Sequence, residues 1–297
     1  MLYRRTLMKL FDENKRFYKG NLHTHTTCSD GKLTPDEVLQ EYADHGYDFI
    51  ALTDHWKVGS ERRFKDMLVL PGVEYDFTFD TQVLHLVSLL PDSRCADGIV
   101  RSMSHAEIIE RVNACGGLSI AAHPAWSLNT HDFLASLDGV DIAEVFNTLS
   151  DEPLNARRGN SAQILDVAAA NGKLFLHVAS DDSHFYVGEQ CRSYIMLQAD
   201  KLDVPDVLDA LRAGRFYATQ GPEFLDVEHC GNKLIVRTSP VCICTFSSNK
   251  YWVEGRCRTG KDMTENIYEI QPGEKFIRCE IADEYGNRAW LSPISLD

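Results

Sequence analysis

The feature that most constrains this 297-residue chain is a repeated pattern of short apolar runs that end in, or enclose, histidines and acids. The runs are Phe49 to His55, Leu68 to Glu74, Val83 to Leu90, Leu118 to His123, Ile142 to Asn147 and Leu174 to Asp181. Helical stretches separate some of them, at Ser104 to Cys115 and Arg157 to Asn171. Such alternation predicts repeated β-α units. An earlier helix is signalled at Thr34-Pro35-Asp36-Glu37, with a capping Thr, Pro in the first turn and acids at the positive helix end. Gly46 supplies its stop after about His45. In barrels of parallel strands, catalytic groups collect at the C-terminal strand ends because the loops there converge. Histidines and acids closing successive strands are the one-dimensional form of such a site.

After Gly221-Pro222 the pattern changes. Short alternating runs (Leu234 to Thr238, Cys242 to Phe246, Phe276 to Ile281) are set between Gly, Asn and Pro turns, which predicts a small antiparallel β domain. The expected division is therefore 1–220 and 221–297.

Composition narrows the function. A net charge of −14 argues against a broad nucleic-acid-binding surface, which needs clustered Lys and Arg. No apolar run approaches the roughly eighteen residues of a membrane span, and the first residues do not read as a signal peptide. The nine cysteines are an odd, scattered set without a CxxC pair, which suits reduced thiols. Cys242 and Cys244 read as packing residues on an expected strand. A cytoplasmic protein is expected.

His23 and His25 stand two apart, so on an extended segment both imidazoles can reach one ion. Alone, an HxH pair carries little. Further candidates follow at strand ends: Asp54-His55, Glu74, His123 before Pro124, and Asp182 with His184. His85 lies inside Val83-Leu84-His85-Leu86-Val87, where a packing role competes with a ligand role. Ionised carboxylates in an apolar framework are expensive unless paired or coordinated. His177 reads as a core histidine, and His45, His105, His131 and His229 have no supporting pattern.

The ordered set His23/His25, Cys28-Ser29-Asp30-Gly31, Thr53-Asp54-His55, Gly72-Val73-Glu74, His123-Pro124 and Asp182-x-His184 resembles the polymerase and histidinol phosphatase (PHP) superfamily of metal-dependent phosphoesterases. The resemblance covers roughly residues 18–220, and the tail is similar to a β domain appended to some bacterial members. It implies an α/β fold, a distorted (β/α)7 barrel, with two or three divalent ions (Zn, Mn or Fe). His23, His25, Glu74 and Asp182 would hold the first ion. Glu74 would bridge to a second held by His85 and His123, and Asp30, His55 and His184 would hold a third. Asp30 stands where the family often has a histidine.

The implied chemistry is hydrolysis of a small phosphorylated substrate by a metal-activated water. Local metal charge would outweigh the distant acidic surface. Glu74 and His184 are the candidate catalytic residues, His184 as a source of the leaving-group proton. Asn147, Arg157 and Arg158 are candidates for gripping phosphate. Two alternatives stand: a metal-dependent amidohydrolase, usually marked by a strand-end lysine absent here, and a non-catalytic metal-binding regulatory protein.

Overall fold

The computed structural model describes residues 7–296. Its strands are β1 (Leu7–Lys9), β2 (Phe17–Asn21), β3 (Phe49–Leu52), β4 (Arg62–Phe64), β5 (Met67–Thr78), β6 (Val83–Leu89), β7 (Leu118–Ala121), β8 (Ile142–Asn147) and β9 (Leu176–Ser180). They continue as β10 (Tyr194–Gln198), β11 (Phe216–Thr219), β12 (Phe224–Cys230), β13 (Lys233–Ser247), β14 (Cys257–Glu269), β15 (Phe276–Ala282), β16 (Arg288–Trp290) and β17 (Ile294–Ser295). Five helices intervene: α1 (Pro35–Asp44), α2 (His105–Ala114), α3 (His131–Ala135), α4 (Ala162–Ala170) and α5 (Val204–Arg212).

Local chemistry explains the best-defined helices. Thr34 and Glu37 form a reciprocal capping box at the start of α1, and Ser104 and Glu107 form another at α2. Past α1 the chain turns at Gly46 with φ +73°, the left-handed conformation that glycine adopts without penalty. The helical stretch expected over Arg157 to Asn171 shortens to α4. The residues before it are held against β8 instead: the Asn147 N–H donates to the Gly159 carbonyl and the Ser161 N–H to the Val145 carbonyl.

β2, β3 and β5 pair in parallel, and so do β7, β8 and β9. Between the two trios β6 runs antiparallel to both β5 and β7. Six strands therefore point one way and β6 points back. Beyond β2 and β9 the two following segments meet: the His25 N–H donates to the Ser183 carbonyl and the Asp182 N–H to the His23 carbonyl, each at 3.0 Å. Thr24 and Ser183 form a parallel bridge there. Lower down, β10 takes the place beside β2, and among the described residues no ladder joins β9 to β2 or β10.

Alternation sorts the side chains. On β3, Phe49 and Ala51 face a core inside the curled sheet, filled from below by Val204, Val207, Leu208 and Leu211 of α5. Ile50 and Leu52 face α1. α2, α3 and α4 cover a second outer face through Ile108, Leu134 and Leu165. The strands from β12 onward pair only antiparallel and bury an all-sheet core around Phe224, Val236, Phe246 and Ile281. Hydrogen bonding runs across position 220, since β11 pairs with β16 and β1 pairs with β12. All nine cysteines are free; buried Cys244 approaches Cys279 at 3.6 Å, while Cys242 is half-buried. Among the described residues no helix is long and apolar enough to cross a membrane.

Candidate metal centre

Five of the six like-pointing strands deliver His23 and His25 just past β2, His55 past β3, Glu74 within β5, His123 past β7, and Asp182 with His184 past β9. His85 is only the third residue of β6, and because β6 is reversed its beginning lies at the same end of the sheet. That reversal explains a histidine early in its strand among partners that follow theirs.

Glu74 is the centre. Its Oε1 lies 2.9 Å from His85 Nδ1, 3.2 Å from His23 Nε2 and 3.5 Å from His123 Nε2. Its Oε2 lies 3.1 Å from His25 Nε2 and 3.2 Å from His55 Nδ1. Asp182 Oδ1 stands 3.1 Å from His23 Nε2, 3.2 Å from His25 Nε2 and 3.5 Å from His184 Nδ1. Asp30 Oδ1 is 3.4 Å from His25 Nδ1 and 3.5 Å from His184 Nε2, and its Oδ2 is 3.7 Å from His55 Nε2.

Four groups of mutually close donor atoms result: His23/His25/Asp182, His23/Glu74/His123, His55/Glu74/His85 and His25/Asp30/His55/His184. All nine expected ligands are thus brought together. The grouping differs in detail from the implied one, since His85 gathers with His55 around Glu74 while His123 gathers with His23.

The donors converge, and two of them are left unsatisfied. Asp182 Oδ1 and His55 Nδ1 are buried with no hydrogen-bond partner, although a histidine nitrogen and a carboxylate oxygen respectively lie within 3.2 Å of them. Two imidazole nitrogens, His23 Nε2 and His25 Nε2, face each other at 3.1 Å. Nitrogen and oxygen donors aimed at common points rather than at each other fit divalent metal ions.

Electrostatics agree. Burial opposes charge on His23, but Asp182, Glu74 and Glu144 outweigh it and hold its pKa well above the ordinary value. His25 is raised in the same way, against burial, by Asp182, Asp30 and Glu74. Burial would raise Glu74, yet His23 and His85 press it well below the usual carboxylate range. His184 and His25 depress Asp30 strongly. His55 goes down, chiefly through burial. Metal uptake would release the protons that the raised His23 and His25 hold.

A supporting layer sets these ligands. Asp54 accepts from the Thr26 and Ser29 N–H groups and from both hydroxyls, folding the turn that carries Asp30. Gly31 is required in that turn, because a Cβ there would lie 2.5 Å from the His25 carbonyl oxygen. Glu189 accepts four consecutive N–H groups, from His184 to Val187, and fixes the loop after His184. Glu144, buried on β8, lies with Oε1 2.8 Å from His23 Nδ1 and accepts the His123 N–H at 2.8 Å.

A cleft of about 220 Å³ opens over the ligands, walled by Trp126, Leu149, Ser150 and Asn155. Asn147 lies beneath it, buried, with its amide donating to Glu144 and Asp182 and its oxygen accepting from Ser150 N–H. Arg157 and Arg158 are exposed and do not line the cleft; Arg157 pairs with Glu152 at 3.2 Å. His177 is buried away from the ligands, its Nδ1 unpartnered. Sequence reading passed over Glu144 and the cleft-wall residues. Glu144 had a signal: an acid inside the otherwise apolar run Ile142 to Phe146 must find partners.

No family model matches the chain. A stretch of 77 residues is 29% identical to the 5'-3' exoribonuclease Rnm of Salmonella typhimurium and to that of Escherichia coli, covering 23% of this chain. The chain spans 26% of the length of those curated relatives in the match. Over its full length it superposes on a solved Bacteroides vulgatus protein, described as a two-domain protein containing predicted PHP-like metal-dependent phosphoesterase. There the TM-score is 0.52 and the identity 16%, with 100% of both chains covered. That likeness is one of fold.

Proposed function

We propose, for a chain that shares the PHP-type fold and carries that superfamily's ordered ligand set, that it is a metal-dependent phosphoesterase. The observation that carries this reading is the convergence of five histidines on the two oxygens of one buried carboxylate, Glu74. We read the curled sheet as the distorted (β/α)7 barrel of that superfamily, and residues 221–297 as an appended β domain beside the unit 1–220.

His23, His25, Glu74 and Asp182 would hold one ion, with Glu74 shared toward His85 and His123; Asp30, His55 and His184 would hold a third. Zn, Mn and Fe all suit the mixed donors. When bound, divalent ions supply Lewis acidity, generating a nucleophile from water at neutral pH and neutralising charge on phosphoryl oxygens. The chain's own residues do the rest. Glu74 keeps the donor groups in one unit. Trp126 and Leu149 wall the cleft and limit water around the substrate's organic group, while Ser150 and Asn155 offer it polar contacts. His184, 13% exposed at the cleft, would hand a proton to the leaving oxygen when the third ion is not bound. Asn147 would act by steadying Asp182 from below. The cleft suits a small phosphorylated substrate, and the free cysteines suit a reducing, cytoplasmic setting. The partial likeness to an exoribonuclease supports phosphate esters as the class.

Among the described residues no lysine lines the cleft, which disfavours the amidohydrolase reading. Metal analysis of the purified chain and hydrolysis of p-nitrophenyl phosphate and its diester analogue test the proposal. Bound metal with no hydrolysis across a broad panel of phosphate esters would sink it.

A further inference from the structure

We infer that Glu144 is a positioning residue that sets two of the proposed metal ligands at once, fixing the ring nitrogen His23 presents and anchoring the backbone from which His123 projects. The inference rests on the metal-binding reading of the site above.

Glu144 is 1% exposed, and its carboxylate has four neighbours. Oε1 faces His23 Nδ1 at 2.8 Å and accepts from the Ser180 hydroxyl. Oε2 accepts from the His123 N–H and from the Asn147 amide, each at 2.8 Å. Three of the neighbours donate, and an ionised carboxylate, which accepts at every site, requires the fourth, His23 Nδ1, to carry a proton as well. It ties together chain following β2 and β7 with β8 and β9, the same segments that carry His23, His123 and Asp182.

Two consequences follow. An imidazole that donates from Nδ1 keeps Nε2 for the ion, and Nε2 is the atom of His23 that faces Glu74 and Asp182. His123 has φ +31°, a left-handed conformation uncommon for a residue with a side chain, and Pro124 follows it without an N–H. The Glu144 oxygen secures the His123 amide at that bend, so the ring is delivered toward Glu74 rather than along the strand. Glutamine keeps the shape of Glu144 but turns an NH₂ group toward one pair of donors.

Zinc titration of the metal-free full-length chain tests this directly, comparing wild type with Glu144→Gln and Ser180→Ala. Glu144→Gln is expected to weaken zinc binding about 10–100-fold, the usual effect of losing an outer partner of a ligating histidine. Ser180→Ala removes one donor to Oε1 but leaves the His23 contact, and is expected to stay within about threefold of wild type. Long-range ¹H–¹⁵N spectra of zinc-loaded wild type add a readout that requires no variant to fold: His23 should carry its proton on Nδ1. A proton on His23 Nε2, or unchanged zinc affinity in Glu144→Gln, overturns the role of Glu144. Failure of wild type to bind zinc would overturn both this role and the metal reading. Zinc binding without phosphate-ester hydrolysis would remove the proposed reaction and leave the role of Glu144 standing.

Discussion

His85 and His177 sit in nearly the same sequence surroundings, Val83-Leu84-His85-Leu86-Val87 and Phe175-Leu176-His177-Val178-Ala179, and end with opposite chemistry. Both lie near the start of a strand. His85 Nδ1 is 2.9 Å from Glu74, and although burial opposes its charge, Glu74 raises its pKa. His177 is buried beside Arg278 with no carboxylate among the described residues to meet it, and burial, helped by that cation, lowers its pKa to about 3. Burial is common to both; the partner decides. The partner is decided in turn by strand direction. β6 runs backward, so its first residues reach the end of the sheet where Glu74 lies, whereas β9 runs forward and its first residues lie far from it.

The largest effect should come from Glu74 itself. Glu74→Gln removes the carboxylate shared by five histidines, and hydrolysis should fall at least about 10³-fold, as when a member of a cooperating set is lost. Metal content should fall with it, measured by elemental analysis of the purified variant. Retained metal together with wild-type turnover would show that Glu74 is not the shared ligand.

The direct contest between the two histidines is next. His85→Ala should lose more than the 10–100-fold typical of an outer partner, so at least about 100-fold in kcat, together with part of the bound metal. His177→Gln should leave kcat and metal content within about twofold. Equal losses would mean that the two positions differ less than their neighbours indicate. Asp54→Asn belongs between them: it weakens the acceptor that folds the Asp30 turn, so metal at the Asp30/His55/His184 corner should bind more weakly while the rest stays filled. Stepwise metal titration would separate the corners, and uniform weakening at all of them would contradict this local role.

What could be read from sequence follows the range of the interaction. α1 and α2 begin where Thr34 and Ser104 place them, because a capping box spans only a few residues. Most of the converging donors were also legible, since His55, Glu74, His123 and Asp182 close apolar runs, whereas Asp30 follows no such run and entered only through the resemblance. The direction of β6 is not written in its apolar pattern. It was available from spacing: only four residues part Thr78 from Val83, too few for a parallel crossover, so β5 and β6 must form a hairpin. β10 and α5 were not read as elements, although α5 carries local signals: a capping Asp203, Pro205 in its first turn and Gly214 just past its end. Glu144 stood out as an acid in an otherwise apolar run, but the ligands it meets did not, since His123 and His23 lie 21 and 121 residues away.

The smallest effect is in acid stability, and it isolates His177 from the metal cluster. Its pKa is lowered on folding, from the ordinary histidine value near 6.5 to about 3, so between those values the unfolded chain binds the extra proton. The stability that His177 contributes as a neutral side chain is complete above about pH 6.5 and is lost as the pH falls toward 3. At pH 5 the shortfall is about 2 kcal/mol, from 1.5 pH units at about 1.36 kcal/mol each. His177→Gln has no proton to gain. Whatever packing it loses shifts its stability by the same amount at every pH, so only the slope matters. Melting curves of both proteins from pH 7.5 to 4.5, without added metal, should diverge below pH 6.5, with wild type falling faster. Parallel curves would mean that His177 takes up its proton in the folded chain, and that the pocket beside Arg278 is wetter than its burial indicates.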